Sequence, residues 1–224
     1  CNVYFFRAAE RVGPEALATW AAQFGLGSPT GVDLPSERGG NLPHPSNATA
    51  KQPWRAGDTL GLAIGQSSLT TTPLQIAVMT AAIANGGKLV QPRLVERVGL
   101  AHHLNDSQSD SQLTPDREPT FIAGLNPETL ASLRQGMQQA VAHSRGTAHA
   151  ALGSLSVRVA GKTGTAETGS HAPSHAWFAG YAPAEKPRVA VVVALEHGGS
   201  GGATASLLAA RLFDRLDQLG YFPR

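Results

Sequence analysis

Apolar residues fall at helical spacing in four stretches of the chain. Behind Gly13-Pro14, the positions Leu17, Trp20, Ala21 and Phe24 predict a helix with Pro14 in its first turn and Gly25 and Gly27 at its end. Arg7 to Val12 reads as the tail of an earlier helix that begins before Cys1. Thr72-Pro73 opens a third helix, with a broad apolar face at Leu74, Ile76, Ala77, Met79, Thr80 and Ile83. Asn85-Gly86-Gly87 stops it, because that pair suits positive φ. Pro127 to Ala142 places Leu130, Leu133, Met137 and Val141 on one face expected to be buried. Ala203 to Leu219 does the same with Leu207, Leu208, Leu212 and Leu216.

Between the last two helices the period shortens. Val157 to Thr165, Ala176 to Tyr181 and Val189 to Leu195 read as three consecutive strands with glycine- and proline-bearing turns. The continuous apolar run Val189–Leu195 predicts a strand covered on both faces. Leu89 to Val98 also reads as extended. Helices, then a strand meander, then a helix predict an α/β chain of the α+β type, an antiparallel sheet packed between helices. Ser28 to Asp58 is rich in glycine, proline and serine and reads as an ordered surface excursion. His102 to Glu118 is polar and aperiodic, a loop.

Composition narrows the function classes. The 224 residues are 42% hydrophobic and 15% charged with a formal net charge of +2, an ordinary globular balance that gives no footprint for nucleic acid. The single cysteine, Cys1, forbids an intrachain disulfide. No apolar stretch approaches the roughly 20 residues that cross a bilayer. A start without methionine, already inside patterned sequence, leads us to expect a cut through a larger protein whose anchor or export signal lies upstream.

The sharpest chemical signal is Gly161-Lys162-Thr163-Gly164-Thr165 at the end of a predicted strand. Alternation along the strand puts both threonine hydroxyls on one face, and the lysine supplies a cation. Gly164 leaves room for a ligand backbone to lie against the strand. Such a set suits an extended peptide ending in a carboxylate. Short polar tetrapeptides also arise by chance, and a turn or an exposed strand end is the competing reading.

Neighbouring segments bear on that choice. Lys162-Thr163-Gly164-Thr165-Ala166-Glu167 is followed by His175-Ala176-Trp177-Phe178-Ala179-Gly180-Tyr181-Ala182-Pro183 and then an apolar strand. Upstream stand Thr30-Gly31-Val32-Asp33-Leu34-Pro35, Gly57-Asp58-Thr59-Leu60, Ile64-Gly65-Gln66 and Thr72-Pro73-Leu74-Gln75-Ile76-Ala77. In this order, from the first residues to the final helix, the chain resembles the class B penicillin-binding proteins, monofunctional transpeptidases that join a Ser-x-x-Lys, a Ser-x-Asn and a Lys-Thr-Gly motif. Trp54 and Glu196-His197-Gly198-Gly199 make it similar to the elongation-type subfamily. One departure is Ala203-Thr204-Ala205-Ser206, where the family usually carries Ala-Ala-Ala-Pro.

The resemblance implies a penicillin-binding, serine β-lactamase-like fold, N-terminally truncated, with residues 1–224 forming the C-terminal part of one transpeptidase domain. Cys1-Asn2-Val3-Tyr4-Phe5 is similar to the segment after the serine of Ser-x-Asn, so Asn2 corresponds to that motif's asparagine and the serine would precede Cys1. Three places before Lys51, Lys88, Lys162 and Lys186 stand Ala48, Asn85, Val159 and Pro183, so the chain holds no Ser-x-x-Lys. The expectation is a parent that cross-links cell-wall stem peptides through a serine acyl-enzyme, and a 224-residue piece that is inactive alone.

By the same resemblance, Lys162, Thr163, Gly164 and Thr165 would hold the D-Ala-D-Ala terminus of the stem peptide, or a β-lactam in its place. Lys162 and Asn2 would assist catalysis, and the Thr165 N–H would form half of an oxyanion hole. No cofactor or metal is expected. Expected partners are a membrane glycosyltransferase and other cell-elongation proteins, at the periplasmic face of the inner membrane under an upstream anchor. Two other readings stand beside this one: an N-terminal cysteine hydrolase using Cys1, and a non-catalytic interaction module. His102-His103 lacks partner spacing for a metal, His175 and Trp177 read as strand and core residues, and Glu167 as cleft rim.

Overall fold

The computed structural model describes residues 2–95, 97–98, 112–113, 118–169 and 172–222. Cys1, His102 and His103 lie outside the described residues, as does most of the loop expected from His102 to Glu118. Helices α1 (Asn2–Val12) and α2 (Pro14–Gln23) meet at Gly13, whose φ of 83° forms the corner. An irregular excursion follows, with a 3₁₀ turn at Pro45–Asn47, and leads into α3 (Ala56–Ala63). Glycines 57 and 61 dilute the apolar period of α3, and for that reason the sequence pattern does not show it.

Helix α4 (Pro73–Asn85) starts and stops where its residues dictate. Thr72 Oγ1 accepts from the Gln75 N–H, the Gln75 side chain accepts from the Thr72 N–H, and Gly86 ends the helix in the left-handed region. Short strands follow at β1 (Lys88–Leu89), β2 (Arg97–Val98), β3 (Gln112–Leu113) and β4 (Thr120–Phe121), paired β1 with β4 and β2 with β3. Among the described residues of the stretch read as extended from Leu89 to Val98, only the ends carry strand pairing. Helix α5 (Pro127–Ala142) buries Leu130, Met137 and Val141 as expected, whereas Leu133 is exposed.

After the short α6 (His149–Leu152) comes the main sheet: β5 (Ala160–Ala166), β6 (His175–Ala182) and β7 (Val189–Leu195), antiparallel in that order. Register assigns the faces, because residues opposite each other share one. Gly161, Thr163 and Thr165 stand opposite Gly180, Phe178 and Ala176; Lys162 and Gly164 stand opposite Ala179 and Trp177. A core lies on each face. Phe178, Ala176, Val193 and Val159 pack with Leu152, Ala209 and Phe213 on one side; Tyr181 and Ala160 pack with Ile83, Leu130 and Met137 on the other. This is the sheet between helices that the pattern predicts.

Two details differ from the sequence reading. Strand β7 is an edge, and of its seven residues only Val193 is fully buried. Helix α7 (Ser206–Gln218), entered through a π-helical turn at Gly201–Ala205, buries Ser206, Ala209, Ala210 and Phe213. Leu207, Leu208 and Leu212 face away and are exposed. Small residues let the helix axis approach the sheet closely, and Phe213 meets Phe178 edge to face with ring centroids 6.4 Å apart. Close packing decides the buried face here over side-chain hydrophobicity.

Candidate functional site

Among the described residues strand β5 pairs with β6 alone, so its outer side is a free edge. Along an antiparallel strand the N–H and C=O of one residue point to the same side, and successive residues alternate sides. Thr165 points outward: its carbonyl accepts from Gln66 Nε2 at 3.2 Å, across a separation of 99 residues. Its N–H therefore points outward too, as do the polar backbone groups of Thr163, whose carbonyl accepts from Lys162 Nζ.

An open groove of about 840 Å³ runs along this edge. Asn2, Lys162, Thr163, Gly164 and Thr165, all singled out in the sequence, line it together. Glu167, Thr168 and Gly169 form one rim, and Ile64, Gln66 and Ser67 form the opposite wall. Asn2 reaches the groove from the first turn of α1 and is exposed.

The two threonine hydroxyls turn to the α7 face and are held there. Thr163, 8% exposed, donates from Oγ1 to Thr147 Oγ1 at 2.8 Å, and Thr165 Oγ1 accepts from the Gly201 N–H at 3.3 Å. The hydroxyl face and the cation face of β5 are thus opposite, with the groove between them. Much of the Lys162 side chain is open to the groove, yet the protein around its ammonium lowers its pKa by desolvation. Gly164 lies against Trp177; a Cβ there would sit 3.2 Å from the Trp177 Cβ.

His175 and Trp177 are half-buried strand residues, as expected. His175 Nδ1 accepts from the His197 N–H at 3.0 Å, which ties the ends of β6 and β7 together beyond the groove. Among the described residues no cluster of three or more histidine, cysteine or acidic side chains could hold a metal.

Sequence reasoning did not pick out Gln66, Ser67 or Thr147 as site residues. Gln66 stands between Gly65 and Ser67, both at positive φ (71° and 70°), in the turn that ends α3. The Gln66 N–H reaches back to the Gly61 carbonyl at 2.9 Å. The one local signal was Gly65; the left-handed backbone of the non-glycine Ser67 carries no sequence mark.

A helix-flanked antiparallel sheet with a lysine- and threonine-bearing edge beside an open groove is the architecture shared with the transpeptidase domains of penicillin-binding proteins. The chain belongs to the penicillin binding protein transpeptidase domain family, whose model matches residues 1–216, and within it to the elongation-type class B members. It is 32% identical to the peptidoglycan D,D-transpeptidase MrdA of Haemophilus influenzae over 232 residues, covering 95% of this chain and 34% of that protein. The MrdA of Acinetobacter baumannii is 34% identical over 232 residues, 96% of this chain and 33% of that protein.

Among solved structures, Helicobacter pylori PBP2 in complex with MreC superposes with a TM-score of 0.82 at 32% identity, over 99% of this chain and 39% of that one. Pseudomonas aeruginosa PBP2 in complex with WCK 5153 gives 0.83 at 33% identity, over 96% and 46%. The chain spans about a third of the length of the MrdA proteins it matches.

Proposed function

We propose that these residues form the substrate-gripping part of a peptidoglycan D,D-transpeptidase, and that the groove along β5 takes the D-Ala-D-Ala end of a stem peptide. The observation that carries this is the outward-facing Thr165 backbone next to the cation of Lys162 on one free strand edge. A peptide added antiparallel to β5 would exchange both backbone hydrogen bonds with Thr165 through its penultimate residue. Its terminal carboxylate would then run toward Thr163 and Lys162.

The same N–H of Thr165 would face the oxyanion of the tetrahedral intermediate, a contribution of about 3 kcal/mol for one such donor. Asn2 would hydrogen-bond the donor's amide from the other side. Lys162 would attract the carboxylate; burial lowers its pKa from the usual lysine value.

The reaction itself needs a serine nucleophile, and these 224 residues contain no Ser-x-x-Lys. By themselves they bind the peptide without acylation. β-Lactams would dock in the same groove; a related Mycobacterium tuberculosis protein is known as a ceftriaxone acyl-enzyme complex. MreC, bound to PBP2 in the Helicobacter pylori complex, supports a place among cell-elongation proteins, and a relative from a peptidoglycan synthase complex supports pairing with a glycosyltransferase. No described helix is long and apolar enough to cross a membrane, so anchoring at the periplasmic face would fall to another segment.

The test is a titration of the chain with diacetyl-Lys-D-Ala-D-Ala followed by amide chemical shifts. Saturable shifts at residues 162–165, lost in Lys162→Met, are expected, together with no covalent adduct from a fluorescent penicillin. Shifts elsewhere, or none, would refute the assignment.

A further inference from the structure

Among the described residues, the Thr165 carbonyl is the outward acceptor on β5 that the wall across the groove already occupies. Gln66 Nε2 donates to it at 3.2 Å, and the donor is presented by a tightly wound turn. Gly65 N–H and Gln66 N–H bond back to the Leu62 and Gly61 carbonyls, closing the end of α3. A Cβ on Gly61 would lie 2.5 Å from Ser67 Cβ, so the turn lies directly on the helix. The backbone of Gln66 is therefore fixed, while its side chain keeps rotatable bonds through which the amide can leave and return.

An edge strand with an unpaired outward carbonyl is a template for any passing strand. A side-chain amide mimics the N–H of such a strand: it satisfies the acceptor yet offers no continuing ladder. We infer that Gln66 is a place-holder for the acyl donor, its side-chain amide occupying the Thr165 carbonyl until the N–H of the penultimate peptide residue displaces it. The inference rests on the reading of the groove as a stem-peptide site and adds a positioning residue to it. It makes Gln66 a cover for the strand edge. A ligand that carries an N–H at that position displaces the amide and recovers the bond it breaks, whereas one without it leaves Gln66 in place. The exchange of one donor for another is close to neutral, so relative to a bare carbonyl the cover costs the amide ligand up to one net hydrogen bond.

The chain's affinity is measured for two probes by titration: diacetyl-Lys-D-Ala-D-Ala, and its analogue in which the N–H of the penultimate residue is replaced by an ester oxygen. In Gln66→Ala and Gln66→Met the competitor for the Thr165 carbonyl is gone. The amide probe should bind roughly two- to tenfold tighter, the equivalent of one net hydrogen bond, while the ester probe changes by less than about twofold. In the unsubstituted chain the Gln66 side-chain N–H resonances should shift on addition of the amide probe and stay still with the ester probe. Parallel weakening of both probes in Gln66→Ala and Gln66→Met would mean that Gln66 merely supports the groove, and would overturn the inference alone. Failure of the unsubstituted chain to bind either probe would overturn the underlying reading of the groove and this inference with it.

Discussion

Thr163 and Thr147 hold each other's hydroxyls at 2.8 Å across the gap between β5 and the loop before α6. Thr163 is the donor and is buried, whereas Thr147 is exposed. Thr147→Val keeps the shape of the side chain and removes the acceptor. Loss of that hydrogen bond should cost about 1 kcal/mol, visible as a lower denaturation midpoint with an unchanged slope. Thr147→Ser should recover most of that loss. Equal stability of the valine variant would show that Thr163 finds another partner.

The lowered pKa of Lys162 predicts a pH dependence with a definite sign. Burial disfavours the ammonium, so the group gives up its proton below the usual lysine range. Affinity for a carboxylate-terminated peptide should be steady at neutral pH and fall as pH rises through that lowered value. Binding stabilises the ammonium, so proton uptake should accompany binding in the same window. Calorimetry in buffers of different ionisation enthalpy measures it. Lys162→Arg should flatten the profile, because a guanidinium does not titrate there. Stability behaves the opposite way from a paired lysine. The unfolded chain binds the proton more tightly than the folded one, so this residue's contribution improves as pH climbs from the folded value to the unfolded one.

How much of this was legible beforehand depended on whether the decisive contact was local. The start of α4 was readable because Thr72, Pro73 and Gln75 act on backbone groups within one turn, and Gly86 needs only its own φ. The three strands and the alternation that puts Lys162 opposite the threonines were likewise carried by period alone. Thr147 was not visible as a partner of Thr163, since nothing in a lone threonine says which strand it will meet. On α7 only Leu216 of the four expected leucines packs on the core, and Leu207, Leu208 and Leu212 are exposed, for a related reason. Leucines at helical spacing satisfy the hydrophobic pattern, but only the three-dimensional approach to the sheet makes alanine the better fit at 209 and 210. Helix α3 and Gln66 went unseen together, because two glycines mask the helix whose end aims the side chain.

Gln75 ties the excursion down through its backbone carbonyls. Only 1% exposed, it donates from Nε2 to the carbonyls of Ser28 at 2.8 Å and Gly39 at 2.7 Å, while Oε1 accepts from the Thr72 N–H at 2.8 Å. The residues from 28 to 39 are thus clamped to the first turn of α4. Gln75→Leu preserves size and strands three backbone groups, and should cost roughly 3 kcal/mol. Hydrogen exchange should show the loss concentrated at the start of α4 and in the clamped segment, with β5 to β7 keeping their protection. Uniform loss across the sheet would contradict the clamp.

Two glycines should respond to alanine in opposite directions. At Gly201 an added Cβ would lie 2.1 Å from the Gly164 carbonyl oxygen and 2.4 Å from that of Trp177. Both are backbone atoms of paired strands, so no side-chain rotation relieves the clash; either the π-helical turn retreats or β5 and β6 shift. Gly201→Ala should destabilise by about 3 kcal/mol and, because the Gly201 N–H reaches Thr165 Oγ1, should also weaken peptide binding in the groove. Gly136 sits on the exposed side of α5 with nothing within 4 Å of the added atom. There alanine only limits the unfolded chain and suits the helix, so Gly136→Ala should stabilise by about 0.8 kcal/mol and leave binding unchanged. Measured side by side, the pair separates a steric limit set by the strand edge from the general cost of replacing glycine. A Gly201→Ala chain as stable as the parent would mean that the turn does not press on β5.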